Sequence, residues 1–425
     1  MKPLCVVSCP IDTFSGYGAR SRDFVKSLIQ LRDKEWDIKI MPQRWGDTPW
    51  NFLSLDDPLR NRYIMSLPQK PDIWFQITIP EEFQPIGTHN IGVTAGIEST
   101  ILPSSWVEGI NRMDLTLISS NHSKHVCDTT GYDRVDNKTK EQTGVLKCTR
   151  PVKVLFEGLD LNIYNKKPKT CMDIKLSTIL KDIPEDFCFL FTGQWLPGNP
   201  GEDRKDIYTL IQTFLENFNG SNNKKPALIL KTNSVNNSLL DREGIIQKIQ
   251  SVKESKHYTS PPNIYLLHGE LTDKEMNILN NDPKVKAFVS FTKGEGFGRP
   301  LLEQAITGKP IITTNWSGHV DFIKPDYNIL IGGELNNIPQ SSSNNWLIKE
   351  SQWFNIDSDI AGRAMKDVFK KYKQYFKKSR KQTQFLKDNF SLDKMTKTLD
   401  EYLPKVEAAP QMQELKLPKL KKIEA

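Results

Sequence analysis

The chain has 425 residues, enough for about two domains, of which 37% are hydrophobic, and its mean hydropathy is -0.50. No run approaches the ~20 apolar residues of a membrane-crossing helix, which excludes a bulk membrane protein. The formal charge is +7, and Lys366–Lys381 alone holds eight basic residues and one acidic one, a net +7 equal to the whole excess.

The first half alternates short apolar runs with helical stretches. Leu4–Val7 reads as a strand rather than a secretory signal, because Cys9-Pro10-Ile11-Asp12 cuts the apolar run short. Phe24, Leu28 and Leu31 fall at helical spacing within Arg20–Leu31. Ile38–Met41, Ile73–Ile77, Asn90–Val93, Leu115–Ser119 and Val152–Phe156 read as further strands. The pattern restarts after a polar linker at 165–185. Phe187–Phe191, Ala227–Lys231, Ile264–Leu267, Ala287–Phe291 and Ile311–Thr313 read as strands, Asn328–Ile331 as a short edge, and Tyr208–Phe218 as a helix. Ile360–Phe376 and Asp393–Leu403 read as C-terminal helices, and 407–425 as a Pro- and Lys-rich disordered tail. Strands alternating with helices imply two α/β units with parallel sheets. The expected domains are 1–165, with helices returning at about 375–405, and 180–374. Each doubly wound unit has a crevice at the carboxyl ends of its strands, and two facing crevices make one cleft.

Six cysteines, at 5, 9, 127, 148, 171 and 188, form no C-x-x-C or zinc pattern. Reduced thiols in a cytoplasmic protein are expected. The six histidines show no metal motif and read as ordinary surface or loop residues. Asp357-Ser358-Asp359 precedes a helix and reads as a cap rather than a metal-binding pair.

The most informative stretch runs from Val289 to Ala305. A buried strand ends near Phe291, and Lys293-Gly294-Glu295-Gly296-Phe297-Gly298-Arg299 follows as a glycine-rich turn. Pro300 then suits the first turn of a helix. Glycines let backbone amides approach a ligand, and a helix start favours an anion such as diphosphate. Glu303, about one turn along, is suited to accept hydrogen bonds from the vicinal hydroxyls of a ribose. Alone, the glycines fit a capped helix start equally well.

The surrounding residues add to this. Glu295 and Glu303, separated by seven residues, resemble the signature of glycosyltransferase family 4. So do Gly308-Lys309-Pro310 through His319, Gly193-Gln194 with Arg204-Lys205-Asp206, and His268-Gly269-Glu270-Leu271-Thr272. Ser15-Gly16-Tyr17-Gly18 resembles that family's N-terminal glycine loop, Glu98-Ser99-Thr100, Leu102-Pro103 and Trp106-Val107 resemble a segment seen in some members, and Ser119–Ser123 and Glu157-Gly158-Leu159-Asp160 fit their usual places. The resemblance spans about residues 4–400 and is looser in the first half.

The resemblance implies two Rossmann-like domains facing a cleft, the GT-B fold, with C-terminal helices crossing back to the first. It implies a retaining glycosyltransferase that moves a sugar from a UDP- or GDP-linked donor to a hydroxyl acceptor, with no cofactor and no metal. Lys205 would neutralise the diphosphate, helped by Arg204, and Glu295 would contact the donor sugar. Glu303 would hold the ribose. Gly296, Phe297 and Gly298 would present the turn, Leu271 would line the base pocket, Gly16 and Gly18 would close over the phosphates, and Lys231 is a further donor-side candidate. Gln194 stands where the family often has arginine, leaving Arg204 or Arg299 to compensate. Glu98 stands where many members have a histidine, as an acceptor-side group. The acceptor is left open: a glycan, a lipid-linked sugar at an acidic membrane, or hydroxymethylated bases in DNA, the last two suited to the Lys366–Lys381 stripe. A non-catalytic nucleotide- or nucleic-acid-binding module is the alternative of another class.

Overall fold

The computed structural model describes residues 2–136, 138–166, 180–220 and 224–406. Most of the expected linker and the whole expected tail lie outside them.

The first sheet is built from β1 (Leu4–Cys9), β2 (Asp37–Pro42), β3 (Ile73–Ile77), β4 (His89–Thr94), β5 (Leu115–Ile118) and β8 (Val152–Val154). They lie in the order β2-β1-β3-β4-β5-β8 and every pair is parallel. Between β5 and β8 the chain makes an exposed hairpin of β6 (Gly131–Val135) and β7 (Gln142–Lys147). The helices α1 (Gly16–Arg32), α2 (Ser104–Arg112) and α3 (Asn121–Thr129) cover the sheet. β1 and β3 are buried along their whole length, as parallel strands covered on both faces must be.

The second sheet holds β9 (Cys188–Thr192), β10 (Ala227–Lys231), β11 (Ile264–Leu267), β12 (Val285–Ser290), β13 (Ile311–Thr314) and β14 (Ile329–Ile331). Its order is β11-β10-β9-β12-β13-β14, again all parallel. Counted within the unit this is 3-2-1-4-5-6, the dinucleotide-binding order, whereas the first sheet has the flavodoxin-like order 2-1-3-4-5 with one added strand. Around it lie α4 (Ile207–Phe218), α5 (Leu239–Glu254), α6 (Asp273–Asn281), the short α7 (Arg299–Ala305) and α8 (Ser358–Lys370). A second hairpin, β15 (Gly333–Asn337) and β16 (Gln352–Ile356), leaves this sheet and reaches the first domain. There Thr100 N donates to Gln352 O at 3.0 Å and Gln352 N to Thr100 Oγ1 at 2.9 Å.

The expected helix over 360–376 is two helices, because Lys371 leaves helical geometry (φ -114°, ψ 30°) and α9 (Tyr372–Asn389) starts afresh. The return to the first domain also comes later than residue 375. The inner face of α9 belongs to the second domain: Ser379 Oγ donates to Tyr327 O, Gln382 Nε2 to Phe322 O, and Leu386 is buried in that core. The chain crosses where Leu159 N donates to Phe390 O and Leu392 N to Leu159 O. α10 (Leu392–Tyr402) then packs on α1, with Met395 and Leu399 fully buried in the first core. Each such side chain contributes about 1.5–3 kcal/mol relative to exposure, which ties the end of the chain to the first domain.

Asp357 caps α8, its carboxylate accepting from the amides of Asp359 and Ile360, as the sequence implied. The described cysteines are free. Two histidines depart from the surface reading: His319 is fully buried, and His122 lies edge-on to Trp316 at 4.7 Å. Among the described residues no helix is long and apolar enough to cross a membrane.

Candidate functional site

In a parallel sheet the crevice lies where the strand order reverses. In the second domain that place is between β9 and β12. Lys205 lies in the loop after β9 and Glu295 in the loop after β12, and the two side chains meet in a short ion pair. Arg204 joins them. Its guanidinium lies 3.6 Å from Glu295 and 3.4 Å from Glu98 of the first domain, and donates to Gly294 O at 2.7 Å. Burial resists ionisation of Glu295, but Lys205 and Arg204 outweigh it and hold the carboxyl at about 2. Two cations and two carboxylates therefore face the cleft as a neutral set.

Two strained backbones fix this set. Asp206, next to Lys205, has φ +51°, and Ser317 has φ +76°, a region that non-glycine residues rarely adopt. Asp206 is held there by Lys293 Nζ at 2.8 Å. Ser317 Oγ accepts from Glu295 N at 2.9 Å, and Gly318 N donates to Glu295 O at 2.9 Å. The loop Trp316–His319 thus grips the backbone of Glu295, and His319 is buried behind it, donating from Nε2 to Thr314 O.

A pocket of about 220 Å³ adjoins the cleft and is lined by Gly16, Lys231, Leu271, Arg299 and Glu303. Leu271, Met276, Phe14 and Phe52 give it apolar walls, and Glu303 supplies a carboxylate. Burial, with Asp273 nearby, raises the Glu303 carboxyl to about 7 against the pull of Arg299. Arg299 Nε is 2.8 Å from Glu303, and its Nη1 is 2.7 Å from Asp23 and 3.7 Å from Glu157 of the first domain. Lys231 Nζ donates to Gly269 O at 2.6 Å.

The first domain approaches the glycine turn closely. A Cβ on Gly294 would lie 1.9 Å from Glu98 O, and one on Gly296 would lie 2.3 Å from Ala95 O. Asn121 N also donates to Asp321 Oδ2 across the cleft at 2.8 Å. The two walls therefore stand closed on each other.

The structure brings Glu295, Lys205, Arg204, Glu98, Gly16, Gly296, Phe297 and Gly298 into one cleft, with Glu303, Leu271 and Lys231 in the adjoining pocket. The Phe297 ring is turned from the cleft and buried against Phe322, ring centres 4.9 Å apart. Gly18 does not line the cleft. Its amide donates to the α1 cap Ser15, and a Cβ would meet Thr13 O at 2.2 Å, so its glycine answers to packing. Arg299 is engaged by three carboxylates and offers no free cation in place of Gln194, while Arg204 stands in the cleft itself. Sequence reasoning missed the roles of Tyr17, Trp45, Glu157 and Asn233, which also line the cleft. Tyr17 sat inside the quoted glycine loop; Trp45 carried no signal. The basic stripe is elsewhere: Lys370, Lys371, Lys373, Lys377, Lys378, Arg380 and Lys381 are exposed on α8, α9 and their junction.

No protein-family model matches the sequence, and no curated protein matches it in sequence. Solved structures match over nearly the whole chain. A glycosyltransferase from Rickettsia africae ESF-5 is similar at a TM-score of 0.61 and 13% identity, covering 94% of this chain and 97% of its own. Sucrose-phosphate synthase from Thermosynechococcus elongatus is similar at 0.58 and 11%, covering 95% and 98%. HepE from Anabaena, in complex with UDP and glucose, is similar at 0.57 and 12%, covering 94% and 99%. At these identities the likeness is one of fold. The chain has the GT-B arrangement of two Rossmann-like domains.

Proposed function

We propose that the protein is a retaining glycosyltransferase of the family 4 type, moving a sugar from a UDP- or GDP-linked donor to a hydroxyl acceptor. The meeting of Lys205, Arg204 and Glu295 at the switch point of a 3-2-1-4-5-6 sheet, with Glu303 in the adjoining pocket, carries this reading. That HepE was solved with UDP and glucose on the same fold supports a uridine donor.

The roles follow from charge. Breaking the sugar–phosphate bond builds negative charge on the diphosphate and positive charge on the sugar. Lys205 and Arg204 are fixed where they can meet the first, and preorganised donors of this kind are worth about 2.7–4 kcal/mol each. Both cations are paired with carboxylates, Lys205 with Glu295 and Arg204 with Glu295 and Glu98. A bound donor releases them: its sugar hydroxyls take over the Glu295 carboxylate, and its phosphates take over Lys205. Glu303 accepts from the ribose hydroxyls, Leu271 lies against the base, and Gly16 faces the phosphates from the first domain. Attack then comes on the face the diphosphate leaves, with no side-chain nucleophile and no metal taking part.

The test is release of nucleoside diphosphate from UDP-glucose, UDP-N-acetylglucosamine and GDP-mannose, with and without a chelator. Turnover of one donor, kept with the chelator and lost in Lys205→Met, is the expected result. Nucleotide binding without turnover of any donor, with acceptors supplied, would leave the non-catalytic module as the better account.

A further inference from the structure

A second chamber opens off the cleft. Its volume is about 620 Å³, within the roughly 300–1,000 Å³ of small-molecule sites. Tyr17, Trp45, Glu98, Gln194 and Arg204 line both spaces, so a ligand in the chamber reaches the same carboxylate and guanidinium that bound the cleft. The outer wall is the loop between β15 and β16, from Ser341 to Leu347. That loop is fixed to the first domain, because Ile101 N donates to Ser351 Oγ at 3.0 Å and Ser351 is fully buried. Asn344 Oδ1 accepts from the amides of Trp346 and Leu347 at 2.9 and 2.8 Å, which sets the tip.

The lining has a distinct chemistry. Trp45 stacks on Tyr17 with ring centres 4.0 Å apart. Trp346 is 41% exposed although large and apolar. Trp106 also lines the chamber but is 2% exposed and packs in the first-domain core. Three serines and the amides of Gln194 and Asn344 add hydroxyl and amide groups. The charges cancel: Glu98 and Arg204 are 3.4 Å apart, and among the described residues no other Asp, Glu, Lys or Arg lines the chamber. A phosphate polymer needs an excess of cations, and this lining has none.

We propose that this chamber is the acceptor subsite and takes the end of an uncharged saccharide. A pyranose has one face of C–H groups, which suits Trp45 and Trp346, and a rim of hydroxyls, which suits the oxygens of the serines and the amides of Gln194 and Asn344. This rests on the glycosyl-transfer reading above. One acceptor hydroxyl lies beside Glu98 and the leaving diphosphate. Its oxygen bonds to the anomeric carbon of the donor, and the bond from that carbon to the diphosphate oxygen breaks. The electron pair leaves on that oxygen, which also takes the hydroxyl proton.

The test uses the full chain saturated with UDP, or with GDP where that is the nucleotide it binds. Saturation-transfer NMR is read for methyl glucoside, methyl galactoside, lactose, maltose and xylobiose, and for a hydroxymethylcytosine oligonucleotide. The expected result is transfer to the ring C–H groups of at least one saccharide. Trp346→Ala should weaken that binding at least tenfold, Trp346→Phe should retain it, and the melting shift given by the nucleotide should stay the same in both. Saccharide binding that ignores Trp346→Ala overturns the proposal. So does an absence of saccharide binding when the nucleotide binds, with or without binding of the oligonucleotide. If neither UDP nor GDP binds, the donor reading fails first and the acceptor subsite falls with it.

Discussion

The two walls of the cleft face each other and are built from opposite chemistry. The second-domain wall is charged and strained. Lys205, Arg204 and Glu295 lie in two strand-end loops, held by Asp206 and Ser317 in the left-handed region. The first-domain wall is largely aromatic, with Tyr17, Trp45 and Trp106, and its carboxylates Glu98 and Glu157 face Arg204 and Arg299 of the other domain. A group that stabilises charge must be placed to within a fraction of an ångström in a dry site. A surface that receives a hydroxyl can use broad faces. In the proposed reading, bond breaking belongs to the charged wall and acceptor choice to the aromatic one.

The largest expected effects break the charged wall. Lys205→Met should lower transfer about 100–1000-fold. Glu295→Gln should do the same and also destabilise the chain by about 3–5 kcal/mol, because it strands buried cations. The double variant should recover part of that stability and none of the activity, as read by melting and turnover. Since Glu295 titrates at about 2 when folded, its stabilisation is present above the ordinary carboxylate value near 4.5. It is lost as pH falls through about 2.

Next come variants that push the walls apart. Gly294→Ala would place a methyl 1.9 Å from Glu98 O. The domains should separate, raising the radius of gyration in small-angle scattering. Activity should fall about a hundredfold, the cost of a misplacement near 1 Å. An unchanged radius with full activity would show that the closed contact is not the working state.

A smaller effect is one of pH. Glu303 titrates at about 7 when folded against 4.5 for an ordinary carboxyl. The folded chain therefore holds this proton more tightly than the unfolded chain. Its stabilisation is present below about 4.5 and is lost as pH rises through about 7. Glu303→Gln should flatten the melting profile across that window. Binding of a nucleotide sugar, whose phosphate diesters do not titrate there, should strengthen as pH rises through about 7, because the ionised carboxylate is the better acceptor for ribose.

The smallest effect lies outside both walls. Asp357→Ala should cost about 1 kcal/mol, the usual worth of a helix cap, and leave turnover unchanged. A loss of activity would give the Asp357-Ser358-Asp359 stretch a role that capping does not explain.

The same contrast governs what could be read from the sequence. The charged wall was legible because Glu295 and Glu303 share one strand-turn-helix and Arg204-Lys205 are adjacent. The aromatic lining was legible only at Trp106, inside a family-like segment, because Trp45 and Trp346 are 301 positions apart (346 minus 45) and come to one chamber only on folding. The ion pair of Arg299 with Asp23 was hidden for the same reason. Buried parallel strands such as Ile73–Ile77 and Ala227–Lys231 announced themselves as apolar runs. The β15–β16 hairpin did not, since Glu334, Asn336 and Asn337 give it no hydrophobic period and β15 is exposed throughout. The differing strand orders of the two sheets had no local signal either. The late crossing of the C-terminal helices depended on which face of α9 found partners, and Ser379 and Gln382 are polar residues that a hydrophobic pattern passes over.

The most direct measurement is thermal melting of the wild type and Glu303→Ala with UDP, GDP, ADP, CMP and dTDP. The account predicts that UDP or GDP raises the midpoint, by an amount near 2.7 kcal/mol at 100 times the dissociation constant, and that Glu303→Ala removes the shift. No shift with any nucleotide, or one that survives the substitution, would contradict the assignment of this cleft to a nucleotide-sugar donor.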